Sequence, residues 1–287
     1  MSGKTIGAII LVLIAILVFV PVGFSGQSDG TNIVVTYGET TYNNADYKSI
    51  VDNYFGVNNA KETVITASDV NKISSGISQR TYNSNQIFSC AMLDLSSDNN
   101  IRIDVDNSKI TTVTASMYKS ALESAGITKG YVKITSPVSA TGESALAGVM
   151  QSYEKSTGVE IPKEVKDAAN DEIYTQTEIV NNTGASADDV AKLMDEIKEE
   201  VSKQNTTDRQ TIINIVNNVV NNYNINISDN DINNIVNTVQ ETQAVKDKAA
   251  DYQSQINNFV NSSEGQSFID SIMAFINSFI HGGSGSK

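Results

Sequence analysis

The sequence predicts an α+β amino-terminal domain of mixed strands and helices, followed by an all-α helical region. Short runs rich in Val, Ile and Thr alternate with helical patterns up to about residue 160. From Pro162 onward the strand patterns stop, and apolar residues recur at spacings of three and four. The predicted organisation is an export segment at 1–25, an α+β domain at 26–160, a helical Asn-rich region at 161–280 and a flexible tail at 281–287.

The export segment is a long apolar run, residues 6–24, behind an amino terminus whose one charged side chain is Lys4. Its apolar core is short enough for a signal peptide, and Gly23 and Ser25 are small residues of the kind that a signal peptidase reads. The full run is also long enough to cross a hydrocarbon layer of roughly 30 Å. We therefore expect residues 1–25 to be either a signal peptide or an N-terminal membrane anchor, with the remainder exported.

Capping and turn residues bound the predicted elements of the first domain. Asn43 and Asn44 precede a helix whose apolar residues share one face, and Gly56 ends it. Polar turn residues between the two central strands favour an antiparallel hairpin. In chain order, the predicted elements are strand 32–37, helix 45–55, strand 62–67, a short helix capped by Ser68 or Asp69, strands 87–95 and 100–106, a helix ending at Gly126, strand 130–138 and helix 145–156.

The helical region contains four amphipathic segments. Ser186 is placed to cap a helix at 188–203. The segments 212–223 and 231–241 resemble each other, with Ile and Val on one stripe and Asn opposite, and they predict a helical hairpin. A partly disordered Asn-rich stalk is the alternative. Residues 267–280 form a last amphipathic helix that docks onto its own domain, self-associates or lies on a membrane.

Composition excludes several classes of function. With 20 basic and 33 acidic residues, the net charge of −13 excludes nucleic-acid binding. The single cysteine, Cys90, lies in a strand-like run and predicts a buried thiol, whereas a nucleophilic thiol would need a histidine partner. The single histidine, His281, lies in the Gly/Ser tail, so Ser-His-Asp catalysis and His-ligated zinc are excluded.

Two weak candidates for catalysis remain. Ser144 follows Gly142 and Glu143 in a pattern that matches only the first part of a GxSxG nucleophile elbow, and a helix cap is the simpler interpretation. Carboxylates at the predicted hairpin fit a glycosidase pair or calcium ligands, or simply a solvated tip. These carboxylates belong to Asp94, Asp98, Asp104 and Asp106. We predict no catalytic, cofactor-binding or metal-binding residue and no cofactor.

Two further sets of residues bear on recognition and modification. The tyrosines near the start of the exported part either line a recognition surface or pack in the core. They are Tyr37, Tyr42, Tyr47 and Tyr54. Four glycosylation sequons lie in the helical half, and their use depends on the host. They begin at Asn181, Asn205, Asn226 and Asn261.

Several runs resemble the DUF1002, or YpuA-like, family of predicted secreted prokaryotic proteins. They are DNYFGV at 52–57, RTYNSNQIFSCAML at 80–93, VTASMYKSALESAGI at 113–127 and SATGESALAGVMQSYEKSTGVEI at 139–161. The resemblance covers residues 31–203, and the chain departs from it in its TYGETTYNNADYK opening and in the Asn-rich stretch after 203. It implies secretion and a shared fold, but it supplies no site residues.

Together these patterns predict an exported, cell-surface-associated binding or structural module. The alternative is a secreted hydrolase that acts on a cell-envelope polymer through carboxylates or Ser144. The expected partners are cell-envelope proteins or polymer, the membrane through residues 6–24 if they are retained, and a second copy through helix 267–280.

Overall fold

A five-stranded mixed sheet organises the first half of the protein. The structure, a computed structural model, describes residues 33–57, 60–74, 81–95 and 100–261. The strands are β1 (Ile33–Gly38), β2 (Lys61–Ile65), β3 (Cys90–Asp94), β4 (Arg102–Val105) and β5 (Tyr131–Thr135). They lie in the order β2-β1-β3-β5-β4. β1 is parallel to β2 and β4 to β5, whereas β3 is antiparallel to both β1 and β5.

Within these ranges the chain forms nine helices. Five belong to the sheet-containing half: α1 (Glu39–Tyr42), α2 (Ala45–Phe55), α3 (Ala67–Ser74), α4 (Ala115–Ser124) and α5 (Glu143–Thr157). The other four follow one another without strands: α6 (Lys163–Thr183), α7 (Ala187–Gln204), α8 (Arg209–Tyr223) and α9 (Asp229–Asn261). This order confirms the predicted fold class.

Helices cover the sheet on both faces because successive strand residues alternate in direction. On one face, Val51 and Phe55 of α2 pack with Val35 and Met92 of the central strands. On the other face, Leu93 and its neighbours in β5 join α4 and α5 in the largest buried cluster. Each parallel pair of strands is connected through a helix, as a parallel crossover requires.

The predicted antiparallel hairpin of strands 87–95 and 100–106 is wrong. Both strands form, but β5 lies between them, so that Leu93 and Ile103 both pair with Val132. The side chains of Val132 and Ile134 are buried, which suits a central strand. Arg102 is exposed, which suits an edge strand. Turn residues alone could not predict that β5, which follows β4 through α4, is inserted between β3 and β4.

Local capping confirms several predicted helix boundaries and corrects one. The Asn44 side chain accepts hydrogen bonds from the first turn of α2, and Ser186 caps α7 in the same way. The predicted cap of α3 at Ser68 or Asp69 is wrong, because Thr66 takes that place. Its Oγ1 accepts a bond from the Asp69 N–H, and the Asp69 carboxylate accepts one from the Thr66 N–H.

The helical hairpin predicted in the Asn-rich region is confirmed, since α8 and α9 pack against each other and against α7 in a second buried cluster. Its members include Leu193 of α7, Val216 of α8 and Val236 of α9. Asn205 and Asn224 end α7 and α8 in the left-handed region, with φ of 46° and 52°. Asn tolerates this conformation better than other non-Gly residues, which explains two of the many asparagines.

The largest buried cluster crosses residue 160, where the boundary between the two regions is predicted. It contains Val132 of the sheet together with Ile173 of α6 and Tyr252 of α9. The helical region therefore completes the core beneath the sheet.

Some predicted features lie outside the described residues. They are the export segment 1–25, the amphipathic segment 267–280 and the tail 281–287. Among the helices that the structure does describe, none combines the length and the hydropathy needed to span a bilayer.

Candidate functional site

Three helices bring a charged cluster together at the wall of a cleft. Helix α4 supplies Ser120 and Ser124, α6 supplies Glu172, and α7 supplies Asp195 and Lys198. The two serines are four residues apart and Asp195 and Lys198 are three apart, so each pair shares a helix face. The charged cluster therefore depends on the packing of α4 against both α6 and α7.

Lys198 is the centre of the charged cluster. Its Nζ lies 2.7 Å from Glu172 Oε1 and 3.1 Å from Asp195 Oδ1. It also lies 2.8 Å from Ser120 Oγ and 3.0 Å from Ser124 Oγ. An ammonium group has three protons, so these four oxygens fully use its donor capacity.

The electrostatics keep Lys198 charged. The Glu172 side chain is fully buried, at 0% exposure, and that of Lys198 is 16% exposed. Burial by itself lowers the pKa of Lys198, but the carboxylates of Glu172 and Asp195 outweigh burial and raise the pKa above the ordinary lysine value. The group is therefore an ammonium at any physiological pH.

This charge state decides the chemistry of Ser120. A serine nucleophile that is activated by lysine needs a neutral amine to take its proton. Here Ser120 Oγ instead accepts a hydrogen bond from the Lys198 ammonium, and it lies 2.5 Å from carboxylate oxygens of both Glu172 and Asp195. Its single proton can serve only one carboxylate at a time. The arrangement favours a fixed polar surface over a nucleophile.

The charged cluster opens onto a cleft of about 360 Å³ between α4, α7 and α9. Lys198 and Ser124 lie at its wall, and hydroxyl, amide and small apolar side chains make up most of the remaining surface. α4 and α9 approach closely beside it, since a Cβ added at Gly126 would lie 2.2 Å from the carbonyl oxygen of Ala249. The remaining lining residues include Ser202, Thr242, Gln243, Ala250 and Gln253.

A comparison with known families identifies the chain. A family model described as a protein of unknown function, DUF1002, matches residues 37–259. The chain belongs to the DUF1002 family. The uncharacterised protein YpuA of Bacillus subtilis strain 168 is 25% identical over 253 residues, which cover 85% of this chain and 86% of YpuA. No solved structure matches the chain.

A second cavity of the DUF1002 protein, of about 250 Å³, lies between α3, α5 and α6. Two of the lysines that line it already have carboxylate partners, since Lys166 Nζ is 2.9 Å from Glu154 and Lys163 pairs with Asp167. Side chains that are already paired have fewer hydrogen-bonding groups left for a ligand than the hydroxyl and amide side chains that line the first cleft. We therefore take the cleft beside Lys198 as the candidate site.

Ser144 lies in the first turn of α5, behind Gly142. Gly142 has a φ of 110°, and an added Cβ would lie 2.7 Å from the Tyr118 hydroxyl oxygen, which explains the glycine. That hydroxyl donates a 2.6 Å hydrogen bond to the Gly142 carbonyl. Among the described residues no side chain forms a hydrogen bond with Ser144. The local pattern therefore has a structural explanation.

The predicted cluster of carboxylates is divided by the strand order. Asp94 ends β3, whereas Asp104 lies on β4 and Asp106 follows it, and β5 separates the two strands. The Tyr131 hydroxyl donates to Asp104 over 2.5 Å, and the Thr135 hydroxyl donates to Asp106 over 2.7 Å. Within the described ranges no three His, Cys, Asp or Glu side chains are grouped to hold a metal ion. Asp98 lies outside those ranges.

Cys90 is a buried free thiol, as predicted, with 1% of its surface exposed. Its Sγ accepts a hydrogen bond from the Gly38 N–H at 3.4 Å and donates one to the Phe88 carbonyl at 3.3 Å. Burial raises the pKa of the thiol to about 12. His281, the only candidate histidine partner, lies outside the described residues.

The tyrosines of the first domain divide between core and surface. Tyr37 is buried and donates a 2.5 Å hydrogen bond to Asp52, whereas Tyr42 is 43% exposed. Tyr47 and Tyr54 are partly exposed on α2. The sequon residues Asn181, Asn205 and Asn226 are exposed, and Asn261 is the last residue of α9.

Sequence reasoning missed the charged cluster, although one signal was available. Glu172 lies three and four residues after the buried Ala169 and Ala168, on the apolar side of α6. Lys198 likewise lies four residues after the buried Met194 and three before the buried Val201 of α7. A charge on a buried helix face needs a partner, and a search for such positions would have paired these two residues.

Proposed function

We propose that this DUF1002 protein is exported and acts at the cell surface as a binding module, with the cleft between α4, α7 and α9 as its ligand site. The observation that carries the proposal is the set of hydroxyl and amide side chains along the cleft, whose wall is fixed by the ion pair between Lys198 and the fully buried Glu172. Preorganised polar groups in a concave site are typical of ligand binding. The export segment supplies the argument for location.

The lining of the cleft suggests the class of ligand. The hydroxyl groups of Ser124 and Ser202 and the amides of Gln243 and Gln253 line it together with small alanines. Such groups form hydrogen bonds with hydroxyl and amide groups of a ligand. A cell-envelope polymer or a segment of an envelope protein carries both kinds of group, and we propose these as the ligands.

A secreted hydrolase is the competing function, favoured by the 2.8 Å distance between Ser120 Oγ and Lys198 Nζ. The raised pKa of Lys198, which follows from two nearby carboxylates despite burial, opposes that mechanism. A hydrolase also predicts that Ser120→Ala or Ser144→Ala abolishes turnover of an envelope polymer. Release of soluble fragments by the wild type and not by one of these variants would favour the hydrolase.

Binding can be tested by sedimentation of the full-length protein with purified peptidoglycan. Ala250 is exposed and lines the cleft, whereas Ala244 is exposed on the same helix and lies away from it. We expect Ala250→Trp, which fills the cleft, to weaken binding by roughly tenfold or more, equivalent to about 1.4 kcal/mol. Ala244→Trp is the matched control and should bind like the wild type.

Equal binding by the two tryptophan variants would show that the cleft is not the polymer site. If peptidoglycan does not sediment the wild type, a photo-crosslinking residue at Ala250 in producing cells tests for an envelope protein, with Ala244 again as the control. Export is tested separately by mass spectrometry of the amino terminus in fractionated cells. Recovery of the protein in the cytoplasmic fraction would refute export.

A further inference from the structure

The outer edge of β4 is unpaired among the residues that the structure describes. β4 ends the strand order, and the N–H groups of Arg102 and Asp106 donate to carbonyl groups on the β5 side, each at 2.9 Å. Alternate residues of a strand direct their backbone groups to the same side, so the N–H and C=O groups of Ile103 and Val105 point away from β5. An edge of this kind is a template for pairing with another strand.

The side chains of β4 alternate between an apolar and a charged face. Ile103 and Val105 are partly buried and pack against the largest buried cluster. Arg102 and Asp104 are exposed on the other face, and Tyr131 contacts both. The Arg102 guanidinium lies 3.8 Å from the centre of the Tyr131 ring, and the Asp104 carboxylate accepts a 2.5 Å hydrogen bond from the Tyr131 hydroxyl. A cation and an anion are therefore held two residues apart along the edge.

This spacing of opposite charges makes β4 complementary to itself. When two copies of β4 run antiparallel with Ile103 opposite Ile103, Arg102 of each copy lies opposite Asp104 of the other. On the apolar face, Val105 of each copy lies opposite Ile101 of the other. A shift of the register by two residues would place Asp104 opposite Asp104, or Arg102 opposite Arg102, and like charges would repel. The charge pattern therefore selects one register.

The backbone groups of the edge also match in this register. The outward N–H and C=O groups of Ile103 bond to those of Ile103 in the second copy, and the Val105 N–H reaches the Ile101 carbonyl. The Ile101 N–H is already used within its own copy, where it donates to the Thr128 carbonyl at 2.7 Å. About four backbone hydrogen bonds then cross the interface, arranged around a two-fold axis.

We propose that two copies of the protein associate through β4 as a symmetric antiparallel pair, so that two five-stranded sheets form one continuous sheet. The other charges of the exposed face are compatible with this pairing. Lys133 of β5 lies beside Asp104, which places Asp104 between two cations. Asp106 lies opposite the neutral Asn100, and Asp94 is separated from the edge by β5. β4 is short, so the dimer is weak, with a Kd on the order of tens of micromolar.

Sedimentation velocity of the full-length protein, in a non-ionic detergent that keeps the apolar run 6–24 in solution, measures this association. We expect the wild type to pass from monomer to dimer between about 1 and 300 µM. Arg102→Asp leaves two anions on the edge and Asp104→Arg leaves two cations, so each variant alone should dimerise at least about tenfold more weakly. An equal mixture of the two variants should dimerise like the wild type, because every cross-strand pair is then attractive.

Lys203→Asp makes the same change of charge as Arg102→Asp at an exposed position of α7, and this matched control should dimerise like the wild type. A wild type that stays monomeric at about 300 µM would overturn the proposal and leave the edge to an extended segment of another protein. Unweakened dimerisation of Arg102→Asp would also overturn it, because the contact would then lie elsewhere. So would single variants that do not recover in the mixture, since the loss would then come from the altered contact with Tyr131.

Discussion

Removal of the Lys198 ammonium tests the charged cluster most directly. Lys198→Met keeps most of the length and the apolar stem of the side chain but removes the positive charge. Glu172, with 0% of its side chain exposed, then loses the cation 2.7 Å away. Asp195 is half exposed and can be hydrated, so the effect on stability comes mainly from Glu172.

The expected loss is near the lower end of what a broken buried ion pair costs. Removing one partner of such a pair typically costs about 3 to 5 kcal/mol. Glu172 keeps hydrogen-bond donors in the variant, since Ser124 Oγ lies 2.7 Å and Gln176 Nε2 lies 3.1 Å from its oxygens. These bonds stabilise the remaining carboxylate, so we expect the free energy of unfolding to fall by about 3 kcal/mol.

Urea unfolding, followed by circular dichroism, measures this loss as a lower midpoint at an unchanged slope. Lys203→Met is the matched control on the same helix, because Lys203 is 57% exposed and pairs with the exposed Glu199 and Glu200. An exposed pair contributes about 0 to 1 kcal/mol. Combining Lys198→Met with Glu172→Gln removes the uncompensated charge and should restore part of the stability.

Two results would refute this reasoning. One is an equal midpoint for Lys198→Met and Lys203→Met, which would mean that Glu172 loses its cation without a cost in stability. The other is a double variant that is as unstable as the sum of its single changes, because the carboxylate would then not be the source of the loss.

Three further predictions concern other buried polar groups. Thr242 has a buried hydroxyl without a hydrogen-bond partner in the described structure, so Thr242→Val should raise the free energy of unfolding by about 1 kcal/mol. Thr238→Val is the contrasting variant and should lower the free energy of unfolding, because it removes a 2.6 Å hydrogen bond to Asp171. Burial and neighbouring carboxylates raise the pKa of Asp171 from 3.8 to about 6, so its protonation favours the folded state, and stability falls as pH rises from about 4 through 6. Asp171→Asn should therefore gain up to about 3 kcal/mol at pH 8 and little at pH 4 in urea melts, and equal gains at both pH values would contradict the assignment. Cys90, whose pKa is raised to about 12 by burial, should react with a thiol reagent orders of magnitude more slowly in the native protein than in urea, and rapid native labelling would show an accessible thiol.

Sequence reasoning succeeded where the determining contacts are local. The helix α2 begins at Asn44 because that side chain bonds to N–H groups two and three residues on, and it ends at Gly56, whose φ is 66°. The cap at Ser186 depends on an equally short range. The fold class follows from many such patterns, because periodicity reports which face of each element is buried.

The same reasoning failed where partners are distant in the chain. The position of β5 between β3 and β4 depends on the burial of Val132 and Ile134 against Leu93, which turn residues near 95 to 100 do not encode. The charged cluster is harder still, because Ser120 and Glu172 are 52 residues apart and Glu172 and Lys198 are 26 apart. Single-residue patterns mark such groups as buried charges but do not choose their partners.

We link the charged cluster to binding because of its position at the cleft, and not because of what its ion pair contributes to stability. A buried ion pair is weak evidence for stability, since apolar residues of similar volume often serve a core as well or better. Apolar residues beside the charged cluster already serve the core in this way. Tyr118, Leu122 and Ile173, which are neighbours of Ser120 and Glu172 in the sequence, are all buried. A lysine and a glutamate at this point instead fix the Ser124 hydroxyl and an ammonium at the wall of the cleft, at a cost in desolvation that a purely structural role would not require. The proposed recognition of a polar ligand there would give that cost a physical reason.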